Sequence, residues 1–468
     1  MKVEQIYTGC LAEAAYYIES NGEAAIIDPL RETKPYLSRA GESGAKIKYV
    51  LETHFHADFV SGHIDLAKKS GARIVFGPTA APGYEAYIAK DGEELKVGNV
   101  TLKVLHTPGH TMESTTYLLI DENGKNHSIF SGDTLFIGDV GRPDLAVKSD
   151  LTREDLAGLL YDSLRNKIMT LEDDVIVYPG HGAGSACGKN MSKETTDTLG
   201  NQKKFNYALR KDMGKEEFIK EVTEGLVDPP QYFPKNVAMN KAGYDSFDLI
   251  LDKGLVAHTP EKFEEIVNRE GAIVIDTRSA TDFKNGHIPN SIFVGLSGTY
   301  AVWVGTLITD IKQPILIVAD EGKEEEAITR LSRVGYDNTL GYLEGGIESW
   351  KKEGKEVEVM EQVTAVELAT VYGKEGINVL DVRKKSEYDA QHVKGTQLFT
   401  LDFINKSMPE ISRDKKYHVH CQSGYRSMIA ASILQARGYK VVDVAGGFQE
   451  LEKTSLETTE YVCPSTLL

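Results

Sequence analysis

Cysteine is scarce: Cys10, Cys187, Cys421 and Cys463 are the only four in 468 residues. So few over such a length cannot make a disulfide framework. A reducing, cytoplasmic setting is therefore expected, and any cysteine that matters is expected to be catalytic. Positive charge is also short, 53 Lys and Arg against 70 Asp and Glu, for a net charge of −17. That balance speaks against a nucleic-acid partner, which needs a basic footprint to displace counterions. Long apolar runs are missing too, and Met1–Tyr7 lacks the hydrophobic stretch of a secretory signal, so no membrane partner is expected. What is present is an ordinary globular composition, 41% hydrophobic and 26% charged. The length suits about two to four domains.

The stretch Thr53-His54-Phe55-His56-Ala57-Asp58-Phe59 follows an apolar run, Ile47–Leu51, that reads as a buried strand. Imidazoles and a carboxylate at this spacing suit a first-row transition metal far better than calcium or magnesium. The pattern recurs. Val100–Leu105 runs into His106-Thr107-Pro108-Gly109-His110, Ser128–Ser131 into Gly132-Asp133-Thr134, and Val175–Tyr178 into Pro179-Gly180-His181. Four strands thus end in turns that carry His or Asp, and strand-end loops on a rigid sheet are where sites are built. A helix is expected from about residue 62 to 70, and a charged helical run over 215–224 leads into the Pro-rich arm Asp228–Pro234.

On these residues the first half resembles the metallo-β-lactamase superfamily. The ligand set implied by that resemblance falls on His54, His56, Asp58, Phe59, His110, Asp133 and His181. Phe59 is the departure, standing where two-metal members such as the glyoxalase II hydrolases place a histidine. Phenylalanine cannot ligate, so a second ion would keep only Asp58, His181 and the bridging Asp133, and a single metal is favoured. The resemblance to the single-metal persulfide dioxygenases implies one Fe(II) per chain on His54, His110 and Asp133. His56, Asp58 and His181 are then orienting groups around it, or the remnant of a second metal site. Two imidazoles and a carboxylate leave adjacent positions open on iron for a persulfide sulfur and O2. Thr8–Ile18 and the Phe136–Asp144 loop resemble the same subfamily. Within that loop Arg142 either binds an anionic substrate or buttresses the metal loop, and buttressing is favoured. Cys10 and Cys187 read as small buried thiols, with no role assigned.

The second half repeats. Asp276 and His287 are echoed by Asp381 and His392 at a shift of 105 residues, and Gly345-Gly346 by Gly446-Gly447 at 101. Such a period signals a duplicated domain rather than a solenoid, and short β runs alternating with amphipathic stretches predict a parallel α/β unit. The shared Asp-x-Arg, His and Gly-Gly elements resemble the rhodanese domain. In the second copy Cys421-Gln422-Ser423-Gly424-Tyr425-Arg426-Ser427 follows a strand and opens a helix. Backbone N–H groups, the helix dipole and Arg426 there favour a thiolate and stabilise a cysteine persulfide. This C-x-x-G-x-R-S loop resembles the rhodanese active loop, with Cys421 as nucleophile, Arg426 as its catalytic cation, and Gly424 and Ser427 as substrate-binding positions. Cysteine phosphatases carry one more residue between Cys and Arg. In the first copy Asp320 takes the place of the cysteine and an acidic run follows, so this copy is expected to be silent, a spacer or an oligomer interface.

The expected fold is thus a multidomain α/β chain. A metallo-β-lactamase αββα sandwich (1–250) precedes a silent rhodanese-like domain (256–357), an active one (360–456) and a tail (457–468) that holds Cys463. The implied activity is oxidation of a small-thiol persulfide with O2 to sulfite and thiol. Sulfane sulfur would pass through Cys421, sulfite becoming thiosulfate, in a homo-oligomer. The alternatives are a glyoxalase II-like zinc thioester hydrolase fused to a sulfurtransferase, and a sulfur carrier whose metal domain is vestigial.

Overall fold

The structure, a computed structural model, describes residues 1–145, 151–189 and 191–463. Residues 464–468 of the expected tail lie outside it. The chain divides into two compact units, Met1–Phe247 with Ser332–Gly335, and Asp248–Leu331 with Tyr336–Leu468.

In the first unit, the run Ala14-Ala15-Tyr16-Tyr17-Ile18 is buried on both alternating faces because both faces are covered. Ala14, Tyr16 and Ile18 point into a core shared with Val100, Leu102, Val104, Tyr117 and Phe130. Ala15 and Tyr17 point the other way, onto Tyr36, Ala40 and Leu66 of the helices Lys34–Ser43 and His63–Ser70. Two six-stranded sheets therefore face one another. One runs Lys2–Thr8, Glu13–Ser20, Glu23–Ile27, Lys46–Leu51, Arg73–Phe76, Tyr87–Ile88. The other runs Asp197–Thr198, Ile176–Pro179, Asn126–Gly132, Thr115–Ile120, Val100–His106, Glu94–Val97. The second sheet's outer face carries Leu118, Ile129 and Val177 against Leu156, Leu160 and Leu164 of the helical segment from Arg153 to Ile168. This is the αββα sandwich that was expected.

The arm 228–232 stays irregular, and a helix starts at Phe233 with Pro234 in its first turn, where a missing N–H costs nothing. That helix, Phe233–Ala242, matters to the site below.

The second unit holds two parallel five-stranded sheets of the same strand order. One runs Ala257–His258, Thr339–Leu343, Ile315–Val318, Ile273–Asp276, Ile292–Phe293; the other Gln362–Thr364, Lys440–Ala445, Lys416–His420, Asn378–Asp381, Gln397–Leu398. The repeated Asp-x-Arg does the same work in both. Arg278 pairs with Asp276, and Arg383 with Asp381, each at 2.6 Å. Each guanidinium also donates at 2.8 Å to a carbonyl eight residues away in sequence from its aspartate partner's arginine, Gly286 O and Gln391 O respectively. These are buried ties between strand ends.

Candidate metal centre and cysteine loop

The metal-type residues gather where the strands of the sandwich end. His54, His56 and Asp58 follow Lys46–Leu51, His110 follows Val100–His106, Asp133 follows Asn126–Gly132, and His181 follows Ile176–Pro179. All six are buried. Close approach of these loops requires glycine. Gly132 has φ 50°, and a Cβ there would sit 2.5 Å from Thr53 Oγ1; one at Gly180 would sit 2.7 Å from Asp133 Oδ1.

Hydrogen bonds fix the ring nitrogens. Thr53 Oγ1 donates to Asp28 (2.8 Å), so at its 2.9 Å contact with His54 it receives the Nδ1 proton, and His54 Nε2 keeps its lone pair. His110 Nδ1 donates to Arg142 O (2.8 Å) and His181 Nδ1 to Ala12 O (3.2 Å), which turns Nε2 of each inward; against its burial, the carboxylates of Asp58 and Asp133 raise His181 above the usual imidazole value. These nitrogens converge on Asp133. Its Oδ2 is 3.9 Å from His54 Nε2 and 3.4 Å from His110 Nε2, while Oδ1 is 3.5 Å from His181 Nε2. Both oxygens are buried without a hydrogen-bond partner among the described residues. Burial, with His56, His110 and His181 nearby, holds His54 well below the usual imidazole range, so it is neutral. Donor atoms about 3–4 Å apart around orphaned carboxylate oxygens fit ligands that each lie about 2.0–2.2 Å from one ion.

His54, His110 and Asp133 form one group that could hold a metal ion, and His56, Asp58 and His181 another. The sequence reading named both. It did not foresee two further groupings. Asp133 and His181 also meet Cys187, and His56 also meets Asp28 and Glu52. His56 Nε2 lies 3.1 Å from Asp28 Oδ1, and its ring lies 4.3 Å from that of the buried Phe59. Asp28 had a faint signal, an acid ending the apolar strand Glu23–Ile27. Cys187 had none beyond its loop. Burial pushes its thiol well above the usual value, and the carboxylates of Asp58 and Asp133 add to the effect. Of the two roles open to Arg142, its bonds fit buttressing: a two-pronged pair with Asp144 (2.6 Å) and donation to Val227 O and Ala186 O.

Asn240 was invisible to the sequence reading. From the helix Phe233–Ala242 its amide donates to His56 O and Phe59 O (both 2.8 Å) and accepts from Ser61 N (2.9 Å). One side chain thus fastens both ends of the metal loop. Asn240→Ala strands two carbonyls and an N–H in a buried site, and should cost about 2–4 kcal/mol of stability, to be read by denaturant unfolding of the whole chain.

In the second unit, Cys421 is buried just past the strand Lys416–His420, and its Sγ accepts from Gly424 N at 3.1 Å. The Gly446-Gly447 turn grips the same loop, with Phe448 N donating to Cys421 O (2.7 Å) and Gln449 N to Gln422 O (3.1 Å). Arg383 reaches Gln422 Oε1 at 3.2 Å. Ser427 Oγ donates to Asp443 at 2.6 Å, so this hydroxyl braces the helix Tyr425–Ala436. Arg426 differs from expectation in one respect, since its guanidinium is shared with Glu387 in a two-pronged pair at 2.6 and 2.8 Å. In the first copy Asp320 occupies the corresponding place after the strand Ile315–Val318 and is exposed.

The pattern of the Metallo-beta-lactamase superfamily matches residues 8–181, and that of the Rhodanese-like domain residues 259–353 and 364–454. A hydroxyacylglutathione hydrolase of Polaromonas sp. is 30% identical over 49% of this chain and 93% of its own length. The chain belongs to the metallo-β-lactamase superfamily. Its second unit adds rhodanese-like domains, so it is a metallo-β-lactamase–rhodanese fusion. The human mitochondrial persulfide dioxygenase ETHE1 is 32% identical over 37% of this chain and 65% of its own. A crystal structure described as a metallo-beta-lactamase from Staphylococcus aureus subsp. aureus COL matches with TM-score 0.64 and 31% identity, over 73% of this chain and 98% of that one. Members of this superfamily bind metal, and the buried His and Asp groups of this one suit that role. No helix among the described residues is long and apolar enough to cross a membrane.

Proposed function

We propose that this fusion oxidises a small-thiol persulfide with O2 at one Fe(II) held by His54, His110 and Asp133, and moves sulfane sulfur through Cys421. The observation that carries the reading is the buried two-histidine, one-carboxylate group His54, His110 and Asp133, in which both Asp133 oxygens lack a hydrogen-bond partner among the described residues, with Phe59 standing where a second ion would need a ligand. Bound there, iron would supply open positions at which a persulfide and O2 could meet and react. The protein's own part is to orient and to exclude. Thr53 and the Arg142 carbonyl fix the two imidazoles, Asn240 holds the loop, and the buried Phe59 packs against the His56 ring. The net change is RSSH + O2 + H2O → RSH + SO3²⁻ + 2 H⁺. The outer sulfur gives up four electrons and O2 accepts them.

At the second site, Cys421 attacks the outer sulfur of a persulfide, the inner S–S bond breaks, and the thiol leaves. Sulfite then takes that sulfur from Cys421 as thiosulfate and regenerates the thiolate. Gly424 N–H is aimed at the sulfur that carries this charge. Joining both sites in one chain raises the effective concentration of the shared sulfite. We place the metal domain at 1–250, the copy with Asp320 at 256–357 and the copy with Cys421 at 360–456.

A zinc thioester hydrolase is the rival, since hydrolase and dioxygenase relatives match the chain at similar identity. Metal content and O2 uptake separate them. Anaerobically purified protein should hold about one iron per chain and consume O2 when glutathione persulfide is added. About two zinc ions per chain with no O2 uptake would overturn the reading in favour of the hydrolase.

A further inference from the structure

The copy that carries Asp320 packs directly on the cysteine loop of its neighbour, within one compact unit. The contact is Tyr425, which lies inside the C-x-x-G-x-R-S loop and is the first residue of the helix Tyr425–Ala436. Its hydroxyl donates to Gly295 O at 2.7 Å, and its ring meets Phe293 edge-on at 5.9 Å. Gly298 lies flush against it, so that a Cβ there would sit 2.3 Å from Tyr425 Cζ. The segment that makes this wall is itself clamped. Arg330 donates to Leu296 O (2.5 Å) and Gly298 O (2.7 Å), and Phe293 N donates to Ser432 Oγ (3.0 Å) on the same helix as Tyr425.

We propose that the copy without a cysteine is part of the sulfur-transfer site, its 293–300 segment fixing Tyr425 as a positioning residue for the Cys421 loop. The loop is held on one side by its own copy, through the Gly446-Gly447 turn, and on the other by the neighbouring copy, through Tyr425. Tyr425 sits between Gly424, whose N–H points at Cys421 Sγ, and Arg426. A shift of Tyr425 therefore moves Gly424, whose N–H faces the sulfur, and Arg426 next to it. The duplicated domain is thus retained as a wall of the site, beyond the spacer or oligomer-interface roles expected for it. This rests on the sulfur-transfer reading for its function, and on geometry alone for the positioning.

Gly298→Ala is the direct probe. Gly298 does not lie in the left-handed region, so alanine adds a methyl against Tyr425 without backbone strain. In the full chain, Cys421 alkylation by iodoacetamide, followed on its own peptide by mass spectrometry, should slow about tenfold. The kcat for thiosulfate formation from glutathione persulfide and sulfite should fall by a similar factor, with the KM for persulfide changed less than about twofold. Persulfide-dependent O2 uptake should not change. Tyr425→Phe removes only the bond to Gly295 and should give a smaller loss, about threefold; it decides the matter alone if Gly298→Ala does not fold. Unchanged alkylation and unchanged kcat overturn the proposal. Slower alkylation in a protein whose wild type makes no thiosulfate supports the wall and removes the sulfur-transfer reading instead.

Discussion

Cys421→Ser should abolish thiosulfate formation from glutathione persulfide and sulfite, a loss on the order of a thousandfold or more, while O2 uptake stays within about twofold of wild type. The size follows from the chemistry. A serine hydroxyl is not ionised at neutral pH in this loop and cannot carry a sulfane sulfur as a persulfide. The fold should tolerate the change, because Cys421 is held through its backbone, its carbonyl accepting from Phe448 N, and serine can keep the place of the sulfur that accepts from Gly424 N at 3.1 Å. The measurement is paired. Sulfite is assayed as the product of the metal domain, and thiosulfate as the product of the second. Sulfite that accumulates without thiosulfate supports the division of labour. Loss of O2 uptake in the same variant would refute it, since Cys421 would then belong to the oxidation.

Asp133→Ala should remove iron and O2 uptake together. Among the described residues, Asp133 is the one carboxylate that faces His54, His110 and His181 at once, within 3.4–3.9 Å. Removing it leaves buried imidazoles with nothing to complete the ligand set, and a first ligand should cost more than the roughly 10–100-fold typical of supporting residues. Metal per chain after dialysis and persulfide-dependent O2 uptake should both fall below detection. Sulfur transfer, read from added sulfite and persulfide, should persist because Cys421 lies in the other compact unit. Full iron content in Asp133→Ala would move the ligand set to the other buried group, His56, Asp58 and His181.

The sequence was enough for the architecture, and the His and Asp residues it singled out in the first half stand together in the fold. Strand-end motifs are local: apolar run, turn, His or Asp. Four such motifs fall in order from His54 to His181, and the structure puts all of them at the ends of sandwich strands. The repeat was legible because duplicated domains keep fixed spacing, and the two sheets share one strand order. The Cys421 loop was legible because its cysteine, glycine and arginine fall within a few residues, between a strand and a helix.

What only the tertiary structure decided is how those residues are held, because the holding groups are distant in sequence and ordinary in type. Asn240 reaches the metal loop from 184 residues away, and nothing about an asparagine in a helix announces that. Asp28 meets His56, Cys187 meets Asp133, and Glu387 takes the charge of Arg426, each through packing of separate strands and helices. Tyr425 and Gly295 are 130 residues apart and belong to different copies of the repeat. Ligand identity is written locally because metal and sulfur chemistry dictate residue type. Orientation is written globally, because any buried donor that reaches the right atom will serve, and only the packed fold says which one does.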